Sequence, residues 1–158
     1  MLLEARTCAL YAEQGFWVSD AASPVQQADY TDMVRTRLAT APHSLDVLLC
    51  PAEGDSDVTV AVAVEVHDGP PPFDPGDWEH IVEASLDVPS GQLLVHSIEE
   101  NEEFAVSPGW YRVRSYHAPF VRPAGDVSLP HRIEAWPAPP GAVAVVRQGS
   151  QEPSGPDE

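Results

Sequence analysis

Two stretches of strictly alternating side chains limit the fold more than any other feature of this sequence. Valine occupies every even position from 58 to 66, with Thr, Ala and Glu between them. From position 78 to 88, Trp, His, Val, Ala, Leu and Val alternate with a set that is rich in acids. Alternation with period two places successive side chains on opposite faces of a β-strand. Each stretch is therefore predicted to be a strand with one face in a core.

Further strand signals, separated by turns that carry Pro or Gly, extend this pattern along the chain. Strands are predicted at residues 7–18, 45–49, 92–98, 110–116, 132–136 and 143–147. One helix is predicted to begin at Asp29, with Asp32 near its start, and to end before Ala41. This pattern predicts a mainly β fold: an antiparallel β-sandwich with one short helix. We expect a single domain over residues 1–147 and a disordered acidic tail over residues 148–158.

The charge of the chain is strongly negative and unevenly distributed. The formal net charge is −17, lysine is absent, and all eight basic residues are arginine. Between Arg37 and Arg112 lie fifteen acidic residues and no basic one. Such a molecule repels nucleic acid and anionic membranes, so neither is an expected partner, whereas it attracts proteins with a basic face. On charge alone, a surface that is acidic only for solubility is the preferred explanation.

Nine carboxylates of this segment form the predicted partner-binding surface. Three point outward from the second alternating strand, and a loop before it and an acidic run after it supply the others. Four acids within positions 99–103 cannot all be buried, so this run is expected in an exposed hairpin or loop. The predicted partner-binding residues are Asp74, Asp77, Glu79, Glu83, Asp87, Glu99, Glu100, Glu102 and Glu103.

Motifs for common enzyme chemistry are missing from the sequence. It has no P-loop, dinucleotide fingerprint, G-x-S-x-G elbow or paired-cysteine metal motif, and without lysine it cannot form a Schiff base. His96, His117 and His131 each lack a neighbouring nucleophile in the sequence. The chain is therefore predicted not to be an enzyme, with no catalytic residue and no cofactor.

Two other kinds of site stay open. Asp74, Asp77, Glu79 and His80 could hold a divalent ion, but alternation places Glu79 and His80 on opposite faces, so no metal is expected. Trp110 and Tyr116 could instead form an aromatic platform for a small ligand or a carbohydrate. In most β-sandwiches such aromatic residues belong to the core.

The N-terminal sequence and the two cysteines indicate the cellular compartment of the protein. The first residues lack a basic region followed by an apolar stretch, and no apolar run is long enough to span a membrane, so we expect a cytoplasmic protein. Cys8 and Cys50 have no metal-type spacing, and we expect two reduced, buried side chains. A disulfide between them remains an alternative.

Three segments of the sequence resemble a known family. They are Trp78-Glu79-His80-Ile81-Val82-Glu83 with its following turn, Pro108-Gly109-Trp110-Tyr111, and Arg132-Ile133-Glu134-Ala135-Trp136-Pro137. With the early strand and the acidic start at Asp29, their order is similar to that of the competence protein J-like family, small bacterial β-sandwich proteins that inhibit a nuclease. The chain departs from the family pattern at Pro130-His131-Arg132, where the family has Asp-His-Tyr-Arg.

The resemblance and the acidic segment together lead to a functional prediction. The resemblance implies no catalytic residue, because an inhibitor needs none. We expect an inhibitor or immunity protein whose acidic face masks the basic active-site cleft of a nuclease or toxin. The alternative is a small-ligand or carbohydrate-binding β-sandwich module without catalysis.

Overall fold

A computed structural model describes residues 1–23, 27–49, 57–119 and 128–149. Two β-sheets and one short helix make up the secondary structure of these residues, so the predicted mainly β fold class is confirmed. The elements are β1 (Leu2–Glu13), β2 (Gly15–Asp20), α1 (Met33–Thr36), β3 (Leu38–Ala41), β4 (Ser44–Leu48), β5 (Asp57–His67), β6 (His80–Val88), β7 (Gln92–His96), β8 (Asn101–Ala105), β9 (Gly109–His117), β10 (Leu129–Pro137) and β11 (Ala144–Arg147).

The strands divide into a six-stranded and a five-stranded sheet. The six-stranded sheet has the order β1-β5-β10-β9-β6-β11, and the five-stranded sheet has the order β3-β4-β2-β7-β8. Neighbouring strands are antiparallel except β5 and β10, which are parallel. The six-stranded sheet is therefore mixed, which the expectation of an antiparallel sandwich did not include.

One hydrophobic core joins the inner faces of the two sheets. The even-numbered residues of β5 and β6 are buried, as the alternation predicted, and Ile81 is buried on the opposite face of β6. Each fully buried valine contributes about 1.5–3 kcal/mol of hydrophobic free energy. The valine run at 58–66 therefore holds the centre of the six-stranded sheet against its neighbour.

The chain passes from one sheet to the other at Gln14 and Gly15. The prediction of one strand at residues 7–18 is wrong, because β1 and β2 lie in different sheets. Gln14 makes the corner with a φ of 90°. A Cβ added at Gly15 would lie 2.1 Å from the carbonyl oxygen of Val47. Only a glycine permits so close an approach of β2 to β4.

Substitution of this glycine should destabilise the fold. In Gly15→Ala the new methyl group must push β2 away from the backbone of Val47, which is expected to cost about 1–3 kcal/mol of the free energy of unfolding. Urea denaturation would measure the loss. Gly69→Ala is the matched control, because a Cβ at Gly69 meets nothing within 4 Å. Equal stability of the two variants would contradict the expected overlap.

The predicted helix from Asp29 is wrong in its start and its length. Helix α1 has a single turn that begins after Asp32, and Arg37 ends it with a φ of 59°. Asp29 instead accepts a hydrogen bond from the amide of Thr31 and pairs with Thr40 as an isolated bridge. Residues 38–41 continue as β3, because pairing with β4 buries their apolar side chains in the sandwich.

Two residues assigned to the tail lie against the domain. The amide of Gly149 donates to Nδ1 of His80 at 3.0 Å, and Gln148 Nε2 donates to the carbonyl of Arg35. These two contacts lie just beyond residue 147, where the domain was predicted to end. The rest of the predicted tail, residues 150–158, lies outside the described residues.

The described residues bear on only part of the membrane and cysteine predictions. No helix in the described ranges has the length and hydropathy needed to cross a membrane. Cys8 is a buried free thiol, and burial raises its pKa to about 11. Cys50 lies outside the described residues, and the free thiol of Cys8 gives no support to the disulfide alternative.

Candidate protein-binding face

The nine predicted partner-binding carboxylates do not form one surface. Asp74 and Asp77 lie in the loop before β6, and Glu79, Glu83 and Asp87 lie at or on β6 in the six-stranded sheet. The remaining four lie in the hairpin of β7 and β8, at the edge of the five-stranded sheet. The single continuous patch expected from the sequence is therefore divided between the two sheets.

Arginines occupy the same sheet as the acids of β6. Antiparallel pairing of β6 with β9 sets Glu83 beside Arg114, and Glu83 binds Arg112 Nε at 3.1 Å and Arg114 Nε at 2.8 Å. Glu79 lies 3.6 Å from the guanidinium of Arg37. Arginines thus compensate Glu79 and Glu83, and this sheet does not present a face of one sign.

Two acids of the 99–103 run have structural roles where the two sheets meet at their edges. Glu100 accepts hydrogen bonds from the amide of Tyr11 on β1 and from the hydroxyl of Ser97. Glu102 accepts a hydrogen bond from Arg6 on β1 at 2.9 Å. These contacts join edge strand β1 of one sheet to edge strand β8 of the other, so these two carboxylates serve the fold.

The outer face of the six-stranded sheet buries a network of charges. Glu134 is 1% exposed, and its Oε1 accepts hydrogen bonds from the hydroxyl of Tyr116 at 2.6 Å and from Arg114 at 3.1 Å. Arg132 donates to its Oε2 at 2.9 Å. Burial and the bond to Glu134 raise the pKa of Tyr116 to about 12, so its hydroxyl remains a donor.

The predicted aromatic platform of Trp110 and Tyr116 is wrong. Tyr116 is 0% exposed, because Phe73 and Trp78 pack over its ring. Trp110 keeps about a third of its surface accessible, but it has no exposed partner in Tyr116. A ligand cannot stack on both rings.

His80 is not available as a metal ligand near Asp74 and Asp77. Its Nε2 bonds to the carbonyl of Thr36 at 2.9 Å and its Nδ1 to the amide of Gly149, so both ring nitrogens are occupied. Among the described residues a different group, Glu65, His67 and Glu134, brings possible ligand atoms together. There Arg132 NH2 already lies 3.1 Å from Glu65 and 2.9 Å from Glu134 and supplies the positive charge.

The five-stranded sheet, in contrast, has strands without any basic residue. Its five strands contain Asp20, Asp46, Glu102 and Glu103 and neither arginine nor lysine. Five of the eight arginines lie on strands of the six-stranded sheet: Arg6, Arg112, Arg114, Arg132 and Arg147. The strands of the six-stranded sheet also carry seven acids, so arginine balances most of their charge, whereas no arginine lies on the strands of the five-stranded sheet.

A pocket opens on the outer face of this five-stranded sheet. The register of β4-β2-β7 aligns Asp46, Trp17 and His96 in one row, on the face opposite the core residues Phe16 and Val18. Together with residues of the chain after β2, they line a cavity of about 510 Å³, which we call the Trp17 pocket. We define it by Trp17, Asp20, Tyr30, His43, Asp46 and His96.

Side-chain contacts fix the aromatic wall of the Trp17 pocket. The ring of Trp17 stacks on that of His96, with centroids 5.3 Å apart and an interplanar angle of 26°. Nε2 of His96 lies 3.1 Å from the hydroxyl of Ser19. Burial lowers the pKa of His96, so the imidazole is neutral at neutral pH. The wall is therefore flat, aromatic and uncharged.

Two carboxylates give the Trp17 pocket its negative charge. Asp20 is 3% exposed. Burial acts to raise its pKa, but hydrogen bonds from Ser23 and Ser90 outweigh it, and the pKa is lowered. Oδ2 of Asp46 accepts a hydrogen bond from the hydroxyl of Tyr30, which raises the pKa of Tyr30 to about 12. Both carboxylates are thus acceptors in a pocket that, in the described residues, arginine does not line.

Sequence reasoning missed the Trp17 pocket because its residues come from three strands distant in sequence. Alternation places Trp17 between Phe16 and Val18, and Asp46 between Leu45 and Val47. That signal identifies outward-facing side chains in each strand. Only the strand order β4-β2-β7 brings them together.

Comparison with known proteins identifies the fold. No protein-family model and no curated protein matches the sequence. The structure is similar to that of ComJ, an inhibitor of the DNA-degrading activity of NucA from Bacillus subtilis: the TM-score is 0.63 at 14% identity, over 87% of this chain and 98% of ComJ. It is also similar to the protein described as crocagin biosynthetic gene J, with a TM-score of 0.55 at 21% identity over 85% of this chain and 97% of that one. The predicted likeness to the competence protein J-like fold is confirmed.

Proposed function

We propose that this chain, which shares the fold of ComJ, is a non-enzymatic inhibitor that binds over the basic active-site cleft of a DNA-degrading enzyme. The observation that carries this proposal is the absence of arginine and lysine from the strands of the five-stranded sheet. These strands carry Asp20, Asp46 and Glu103, besides Glu102, which Arg6 binds from the other sheet. A cleft that binds DNA must be basic, because the phosphate backbone supplies most of the binding free energy. The five-stranded sheet has the complementary sign.

Two carboxylates at the margin of this face strengthen the attraction. Glu99 and Glu103 are exposed in the β7–β8 hairpin, whereas Asp74 and Asp77 are exposed in the loop whose Phe73 and Trp78 cover Tyr116 on the outer face of the other sheet. Exposed charges act mainly on the rate of encounter with an oppositely charged partner, and salt screens them. Of the nine carboxylates expected at the interface, we propose that Glu99 and Glu103 steer the partner, that Asp74 and Asp77 lie away from it, and that Glu79, Glu83, Asp87, Glu100 and Glu102 stabilise the fold.

A nuclease assay tests the proposal directly. The DNA-degrading enzyme encoded nearest to this gene is incubated with labelled DNA and increasing amounts of this protein. We expect inhibition that depends on dose, with an association rate that falls steeply as salt is raised. A variant with Glu99 and Glu103 changed to Gln should associate more slowly. Undiminished DNA cleavage at a large molar excess of the protein would show that the proposal is wrong.

A further inference from the structure

We propose that the Trp17 pocket receives an arginine side chain of the basic partner. This inference rests on the proposed function and specifies where the partner is anchored. The pocket combines an aromatic wall with two carboxylates on the sheet face whose strands lack arginine. Its occupant is a planar cation that projects from a protein surface.

The charge of the Trp17 pocket favours a positive occupant. Asp20 is buried and accepts hydrogen bonds from Ser23 and Ser90, and Asp46 is half-buried; no arginine among the described residues forms an ion pair with either carboxylate. Elsewhere in this chain buried or half-buried carboxylates such as Glu134 and Glu65 are each paired with arginine. A carboxylate held away from water without a cation binds an incoming cation strongly, because the local dielectric constant is low.

The geometry of the Trp17 pocket favours a guanidinium over an ammonium group. Trp17 provides a flat indole, and a guanidinium can stack on it while its N–H groups point sideways. Oδ2 of Asp46 is bonded to Tyr30, whereas its Oδ1 accepts no hydrogen bond from a described residue. A guanidinium stacked beside Trp17 can donate to that oxygen. A lysine ammonium lacks the plane needed for stacking.

A second hollow extends the binding face toward apolar side chains. It has a volume of about 240 Å³ and shares Trp17, Tyr30 and Asp46 with the Trp17 pocket. Ile98 on its rim is 60% exposed, and Tyr30 is 45% exposed. A charged anchor surrounded by apolar surface that excludes water is the usual anatomy of a protein interface. The partner's arginine would enter the Trp17 pocket while its neighbouring residues cover Tyr30 and Ile98.

Matched variants test this anchor with the nuclease of the preceding assay as partner. Asp46→Asn and Asp77→Asn each remove one negative charge, but only the first lies in the Trp17 pocket. We expect Asp46→Asn to weaken binding by at least about ten-fold and Asp77→Asn by less than about two-fold. Thermal unfolding of both variants verifies that they are folded. Equal weakening by the two variants would overturn the anchor while leaving inhibition in place.

A peptide experiment decides the same question if the nuclease does not bind. Failure of wild-type protein to bind overturns the proposed function, but it does not address the chemistry of the pocket. The probe is then a capped Gly-Arg-Gly peptide, compared with the same peptide in which uncharged citrulline replaces arginine. We expect the arginine peptide alone to shift the NMR signal of the Trp17 indole N–H, and Asp46→Asn to abolish the shift. An equal shift with citrulline would identify a neutral small-ligand site, and no shift with either peptide would exclude the pocket; each result overturns the inference.

Discussion

Glu134→Gln is expected to lower the free energy of unfolding by about 3–5 kcal/mol, because it breaks a buried network of charges. Both carboxylate oxygens of Glu134 are occupied: Oε1 accepts from Tyr116 and Arg114, and Oε2 accepts from Arg132. Glutamine has nearly the same shape, but its NH₂ group must face one set of these donors. The arginines would then be partly buried with less negative charge beside them.

Chemical denaturation of the wild-type protein and of Glu134→Gln measures this loss of the free energy of unfolding. Glu103→Gln is the control, since it makes the same chemical change at an exposed position on β8. The control should change stability by no more than about 0.5 kcal/mol. A loss of less than about 1 kcal/mol in Glu134→Gln would mean that the network adds little to the stability of the fold.

Acidification should unfold the protein well before its carboxylates are protonated. His80, His117 and His131 lie side by side on β6, β9 and β10 and are almost completely buried. Burial lowers the pKa of His80 to about 4 and that of His131 to about 3, and it lowers the pKa of His117 as well. Arg37 beside His80 and His117 acts in the same direction, and Glu79 opposes it at His80.

The direction of the pH effect follows from these depressed values. Below about pH 6.5 the unfolded chain binds protons at these histidines and the folded chain does not, so stability falls as pH falls. Each such histidine contributes about 1.4 kcal/mol per pH unit, or about 4 kcal/mol per unit for the three. The loss continues until the folded-state pKa is reached. His96, whose pKa burial also lowers, adds to the slope.

Urea unfolding at several values between pH 7 and pH 5 would measure this slope. His117→Gln should reduce the slope by about 1.4 kcal/mol per pH unit, because one titrating group is removed. Asp20 and Glu65 also have lowered pKa values, but their effect appears only near their unfolded values, below the range used here. Equal stability at pH 7 and pH 5 would contradict the assignment of these histidines as neutral.

The strands could be predicted because burial imposes a period on the sequence. Residues 58–66 and 78–88 each bury one face, so their alternation gave the strands and the direction of nearly every side chain. The acidic strand β8 was not predicted, since a run of glutamates has a low intrinsic preference for strands. Its pairing with β7 and the bond from Arg6 override that preference. The prediction of a helix over residues 29–40 is wrong for the same reason, because the pairing of β3 with β4 outweighs the local sequence pattern.

The binding face could not be predicted because acids and arginines that are distant in the sequence become neighbours in the fold. The acids of β6 and the arginines of β9 are separated by more than twenty residues but become direct neighbours across the sheet. Arg112 and Arg114 bind Glu83, so its carboxylate is not available at the predicted interface. Trp17 and Asp46 gained a role because β2 and β4 are paired.

The strand order also governs how quickly the chain can fold. In the six-stranded sheet only β9 and β10 are neighbours both in sequence and in space, and β5 pairs with β1 and β10 from opposite ends of the chain. Folds dominated by such distant pairings close long loops before they gain contacts, and they fold in milliseconds to seconds. During synthesis the valine edge of β5 that receives β10 stays unpaired until residues 129–135 have been made. Newly made chains therefore expose a strand edge that favours aggregation until β10 pairs with it.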